Sequence, residues 1–140
     1  IMKQMIQRMR EEKGGFTLAE LLVVVAIIAV MVAIAIPVFT AQLNKANAGT
    51  DQANIRGGYA AAQTELISNS SADKNGTFTL KTDGTVKESG TNYTTKGSSN
   101  DIDGADNGIV SIGGVETSWG AEGTVTYKAV NGQIENITVK

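Results

Sequence analysis

Residues 14 to 36 read GGFTLAELLVVVAIIAVMVAIAI, and their reading decides the fold. A Gly-Gly-Phe junction leads to a single carboxylate, Glu20, and then to sixteen apolar residues without a break, Leu21 to Ile36. Counted from Phe16, the segment has 21 residues and would span about 30 Å as a helix, enough to cross the hydrocarbon of a bilayer. The residues before it, IMKQMIQRMREEKGG, set Lys3, Arg8, Arg10 and Lys13 against Glu11 and Glu12. That net of +2 favours a cytoplasmic N-terminus with the bulk of the chain facing outward. Met2 is expected to be the natural start, and the chain reads as an unprocessed precursor.

Glu20 is what a plain membrane anchor does not explain, because a carboxylate inside a spanning helix costs roughly 2.5 to 3.5 kcal/mol on insertion scales. Cutting the Gly15-Phe16 bond would create a free amine four residues upstream, close to one helical turn away. An amine and a carboxylate on stacked neighbours would attract strongly in an apolar bundle, where screening is weak. The alternative is a Glu20 near the membrane surface, hydrated or protonated.

Gly15-Phe16-Thr17-Leu18-Ala19-Glu20, with its short basic leader and the apolar run that follows, resembles the class III signal of type IV pilins and their pseudopilin relatives. The likeness covers residues 1–40. It implies that a membrane-embedded prepilin peptidase cuts after Gly15 and that the new N-terminus, Phe16, is methylated. A small residue before the cut suits a protease that must approach the backbone closely. It further implies assembly roles for Phe16 and Glu20 and identifies Pro37 as the family's helix-kinking proline. Ala29 departs from the pattern, since many members carry glycine in the stretch that loosens during fibre assembly.

Pro37 removes a backbone donor and crowds the preceding turn, so it kinks or ends a helix, the second reading making it the membrane exit. A kink is favoured because helical spacing resumes: Phe39, Leu43 and Ala46, then Ile55, Tyr59, Ala62 and Leu66, recur every three or four residues among polar ones. The helix is expected to run from Phe16 to about Ser68, with 16–36 apolar and 37–68 amphipathic. Gly49, Gly57 and Gly58 weaken it by about 1 kcal/mol each relative to alanine, so tertiary packing must hold that half.

Past Ser68 the composition shifts to Ser, Thr, Asn, Gly and Asp, and alternation replaces helical spacing. Residues 69–140 are expected to form a small antiparallel β head of three to five strands against the second half of the helix. One hairpin is expected at Thr77 to Thr82, Asp83-Gly84 and Thr85 to Glu88. A stronger one follows at Thr124 to Val130, Asn131-Gly132 and Gln133 to Val139, with Lys128 opposite Glu135 and with Val125, Tyr127, Ala129 and Ile134 on one face. Residues 89–123 read as an irregular loop with a strand at Ile109 to Ile112. The fold class is therefore α+β, a long N-terminal helix on a small antiparallel head, which is the pilin fold that the resemblance implies. So small a head has a thin core and would fold poorly without the helix.

Cysteine is absent, so no disulfide staples the C-terminal loop as it does in many family members. The segment Asn100-Asp101-Ile102-Asp103-Gly104-Ala105-Asp106-Asn107-Gly108 gathers Asp101, Asp103 and Asp106 with two side-chain amides, an oxygen-rich set that suits calcium. Its spacing fails the EF-hand pattern, and a loop of Asx turns around solvated carboxylates is the plainer reading. The resemblance points the same way as calcium, since major pseudopilins bind that ion in their C-terminal loop. No other cofactor is expected. With no histidine, no cysteine and no phosphate-binding glycine loop, the chain is not expected to be an enzyme. Without residues 1–15 it carries eight Lys and Arg against twelve Asp and Glu, a net of −4 that argues against a nucleic-acid footprint.

The leading expectation is a structural subunit, the major pilin of a type IV pilus. Its helix is stored as a single-pass span, N-terminus in the cytoplasm, then extracted by an inner-membrane assembly platform and its ATPase into an extracellular helical homopolymer. Such a fibre serves adhesion, motility or biofilm formation. The alternative within the family is a pseudopilin of a type II secretion-like system. Outside it stand a secreted protein cut after Ala33-Ile34-Ala35, for which the apolar run is too long, and a membrane-anchored binding module that is never cleaved at Gly15.

Overall fold

The computed structural model describes residues 17–68 and 75–140. Among them one helix, α1 (Leu18–Ser68), precedes five strands: β1 (Gly76–Thr79), β2 (Val110–Ile112), β3 (Val115–Thr117), β4 (Val125–Val130) and β5 (Gln133–Val139). A single 3-10 turn, Ser99–Asp101, lies between β1 and β2. This is the α+β layout anticipated from the residues. The chain divides into two compact units, one ending at Thr40 and the other Ala41–Lys140, and α1 contributes to both.

The portion of α1 in the first unit buries nothing. Its large apolar side chains are between 46% (Val32) and 77% (Leu18) exposed. By length and composition this helix can cross a membrane. In water so broad an apolar surface would not stay uncovered, and lipid or other helices are its natural surroundings.

In the second unit α1 changes character at Ala48. Ala48, Asp51, Ile55, Gly58, Ala62 and Leu66 are buried, a stripe at three- and four-residue spacing that faces the head. The core gathers Ile55, Ala62 and Leu66 from the helix with Leu80, Val86, Tyr93, Ile112, Trp119, Val125, Tyr127, Ala129, Ile134 and Ile137. Each of the larger side chains contributes about 1.5 to 3 kcal/mol when fully buried. The helix and head share one core, as the thin composition of residues 69–140 requires. Gly58 sets the distance between them. A Cβ there would overlap the Tyr127 hydroxyl and come 2.7 Å from Leu80 Cδ1. The Tyr127 hydroxyl crosses to the helix and donates to the Ile55 carbonyl at 2.6 Å. Gly58 is therefore a packing requirement, whereas Gly49 and Gly57 have open space beside them.

The strands form a three-stranded antiparallel sheet in the order β1-β4-β5 and a separate β2-β3 hairpin. The Asn131-Gly132 hairpin forms as expected, with Asn131 at φ 54° and Gly132 at φ 82°, the left-handed pair that a tight two-residue turn needs. Val125, Tyr127, Ala129 and Ile134 share the inner face. The register differs from the expected one: Lys128 pairs with Asn136 and not Glu135, because the ladder shifts between Lys128 and Ala129. The cause is legible in the residues. Ile134 and Ile137 are three apart, and an unbroken strand would turn one of them outward. A bulge that absorbs Glu135 lets both point inward, each 5% exposed.

The first expected hairpin does not form. β1 pairs with β4, and the segment that returns beside it is not Thr85 to Glu88 but residues 91–93: Thr82 N donates to Thr91 O at 2.9 Å and Tyr93 N to Leu80 O at 2.8 Å. Asp83-Gly84 does sit in a turn, since Lys81 N bonds Thr85 O at 2.9 Å. Asp83 then curls the chain by accepting from both the hydroxyl (2.7 Å) and the amide (2.9 Å) of Thr85. These bonds hold the Asp83 carboxyl below its usual 3.8. The local turn ends there, and burial of Tyr93 selects the longer return. The strand expected at Ile109 to Ile112 appears as β2, while its partner β3 was not anticipated.

Candidate functional site

The segment expected to carry function begins where the helix begins. Thr17 precedes α1, and its carbonyl accepts the first helical bond, from Leu21 N at 3.1 Å. Its hydroxyl Oγ1 accepts from Glu20 N at 3.2 Å, and Glu20 Oε2 accepts from Thr17 N at 3.1 Å. This reciprocal pair is a capping box, which satisfies two of the amide donors that every helix start leaves without partners. In hydrocarbon such orphaned donors cost several kcal/mol each, so a helix start placed there would depend on the box more than one in water does. The negative carboxylate also lies at the positive end of the helix dipole.

Glu20 therefore has a partner within its own helix that sequence reasoning missed. The signal was present: Thr17-Leu18-Ala19-Glu20 is a Thr-x-x-Glu spacing immediately before an apolar run. The box uses one carboxylate oxygen, and Oε1 keeps no partner among the described residues. Ala19, Val23 and Val24 flank the carboxylate in an open apolar hollow. The site can thus hold Glu20 in place and still present an acceptor to an amine. Gly15 and Phe16, the expected cleavage pair and the source of that amine, lie outside the described residues.

Pro37 lies inside α1, which runs on to Ser68 and so does not end at the proline. Its missing N–H leaves the Ala33 carbonyl without the usual bond from four residues on. One turn later Thr40 Oγ1 donates to the Ile36 carbonyl at 2.9 Å. Such side-chain bonding to the preceding turn is a local perturbation of the helical ladder.

The three carboxylates of the candidate calcium loop go separate ways. Asp101 ends the 3-10 turn, whose Ser98 cap accepts from Asn100 N at 3.3 Å. Asp103 reaches Lys45 on the helix at 3.3 Å, an exposed ion pair of small energetic weight. Asp106 offers its main-chain carbonyl to Ile109 N at 2.9 Å. No group of three metal-ligating side chains forms among the described residues.

With this geometry in view, the comparison with known families is specific: residues 12–36 match the family described as the prokaryotic N-terminal methylation motif. The match takes in the Gly15-Phe16 junction, the Thr17/Glu20 cap and the apolar run. Neither a curated protein nor a solved structure matches the chain.

Proposed function

We propose, from a chain that carries the class III signal of type IV pilins and pseudopilins, that this protein is the major subunit of a type IV pilus. Prepilin peptidase removes residues 1–15, Phe16 becomes the methylated N-terminus, and α1 waits in the membrane until the assembly platform draws it into an extracellular fibre. The observation that carries this reading is the first unit: a helix whose every large apolar side chain is exposed and whose one carboxylate is held by its own cap. Such a helix needs a lipid or helical environment and offers a single acceptor for an incoming amine.

In the fibre, neighbouring helices replace lipid around Leu18 to Phe39, and Glu20 Oε1 receives the Phe16 amine of an adjacent subunit. A carboxylate met by both a cap and a cation fixes axial register, because a misregistered subunit leaves a charge unpaired in an apolar bundle. Adhesion, motility and biofilm formation are the uses such a fibre serves, and catalysis is not among them.

The test is intact-mass spectrometry and N-terminal sequencing of protein sheared from the surface of the native host. A methylated chain starting at Phe16 in sheared filaments is the expected result. A chain starting at Ile36, or one retaining Met2, overturns the reading. The same processed chain confined to short membrane-associated polymers of a secretion system would reassign it as a pseudopilin.

A further inference from the structure

Asp51 is fully buried on the same stripe of α1 as Ala48 and Ile55. No lysine or arginine pairs with it among the described residues, where the one ion pair is Lys45–Asp103. A carboxylate in such a place is stable only if its lone pairs are met by donors. One short segment supplies them all. The Tyr93 hydroxyl donates to Oδ1 at 2.6 Å, the Lys96 amide to Oδ1 at 2.9 Å and Oδ2 at 3.0 Å, and the Gly97 amide to Oδ2 at 2.7 Å.

Gly97 permits this closeness. A Cβ at that position would lie 2.7 Å from Ala48 N and 3.0 Å from Asn47 Cβ, so residues 93–97 rest directly on the helix backbone beside Asp51. The segment is fastened to the head at the same time. Thr95 N donates to Gly123 O at 2.9 Å, Glu122 N donates to Thr95 O at 2.8 Å, and the Thr95 hydroxyl accepts from Gly123 N at 2.8 Å. Residues 93–97 are thus a strap, tied on one side to the chain entering β4 and on the other to a single carboxylate of α1.

We infer that Asp51 is the clasp of this strap, and that helix winding at residues 48–55 and closure of residues 93–97 are one cooperative event. In a chain without cysteine the carboxylate does by hydrogen bonds what a cross-link would do covalently, and it does so reversibly. The stripe of burial begins at Ala48, where the strap crosses, so the strap marks the point from which the helix is held by its own head. If the helix is drawn into a fibre, turns before the strap are free to change while those after it stay wound. That use rests on the fibre reading, but the clasp does not.

Hydrogen exchange measured by mass spectrometry on the full chain in detergent micelles tests the clasp without any assembly step. Asp51→Asn keeps the shape but replaces one acceptor oxygen with a donor. Gly97→Ala pushes the strap off the helix from the other side. Each is expected to raise exchange about tenfold or more in peptides covering 93–97 and 48–55, while the Asn131-Gly132 hairpin keeps its protection. The double variant should exchange no faster in these peptides than the more affected single one, because both open the same strap. Unchanged exchange at 93–97 in Asp51→Asn overturns the proposal. So does an equal loss of protection throughout β4 and β5, which would make Asp51 a general stabiliser, and so does additivity of the two substitutions. Failure of the fibre reading would show in the N-terminal sequencing and leave these outcomes untouched.

Discussion

The two halves of α1 share a backbone and differ in what covers them. From Leu18 to Thr40 the apolar side chains are exposed and evenly distributed around the helix, whereas from Ala48 to Leu66 a narrow stripe is buried and the remaining positions are polar or small apart from Tyr59. The second half is completed by its own head, through Ile55, Gly58, Ala62 and Leu66. The first half is incomplete as an isolated chain, because none of the described residues of its unit covers it. A helix that is apolar all round belongs in lipid or among other helices, and a striped one belongs against a core. The difference separates what this chain supplies for itself from what its surroundings must supply.

The sharpest way to break the contrast is at Glu20. Glu20→Ala removes an acceptor that serves the first half only, so insertion, cleavage at Gly15 and the fold of residues 41–140 should be unaffected. Fibre yield should fall by an order of magnitude or more, as scored by shearing and immunoblotting. Equal piliation would show that the carboxylate does not set register. The counterpart in the second half is Gly58→Val. Its added atoms meet the Tyr127 hydroxyl and Leu80, and the expected cost is about 2 to 3 kcal/mol, read as a lower thermal midpoint of the full chain in detergent. A substitution to valine at Gly57, where no neighbour lies within 4 Å, should leave stability unchanged or raise it by about 0.3 kcal/mol, because valine is the better helix former of the two.

A third experiment probes the second half alone, through pH. Burial, and then the hydrogen bond to Asp51, push the Tyr93 hydroxyl up from its ordinary 10.0 to about 12. Burial pushes Tyr127 up as well. The folded chain therefore keeps protons that the unfolded chain loses above about pH 10. Their contribution is fully present below about pH 10 and is lost as pH rises through about 12. Chemical unfolding of the head should show a stability plateau up to about pH 10 and a fall beyond it, and Tyr93→Phe should make that fall shallower. A helix 18–40 without a buried titrating group should retain its far-ultraviolet signal over the same range.

Local features of the sequence were the legible ones. The length of the helix, the Asn131-Gly132 hairpin and the strand ending at Ile112 rest on spacing and turn chemistry, which act between near neighbours. What escaped depended on distant competition. Asp83-Gly84 is a sound turn signal, yet the segment that returns is 91–93, where Tyr93 also reaches the distant Asp51. The bulge at Glu135 follows from two isoleucines three residues apart, a conflict that two-residue alternation ignores. Asp51 itself looked like a polar position on an amphipathic helix, because only the folded strap shows that its lone pairs are met. In the candidate site, Glu20 and Pro37 were readable as anomalies in an apolar helix, but the structure gave Glu20 a partner, Thr17, which no search for a cation would have found.

Thr17 offers the smallest effect and the finest test of what Glu20 needs. Thr17→Ala removes the hydroxyl that accepts from Glu20 N, while the Thr17 amide and its bond to Oε2 remain. The loss of a cap is expected to cost about 1 kcal/mol, confined to the first turn of α1. Thr17→Ser keeps the oxygen and should restore it. If the cap's main role is to steer Glu20, the alanine variant should insert normally and assemble more slowly, with serine recovering the rate. Should alanine and serine assemble at the same rate as threonine, Glu20 is positioned by the neighbouring helices and not by its own, and the first half of α1 would depend on its surroundings even for the placement of its one charge.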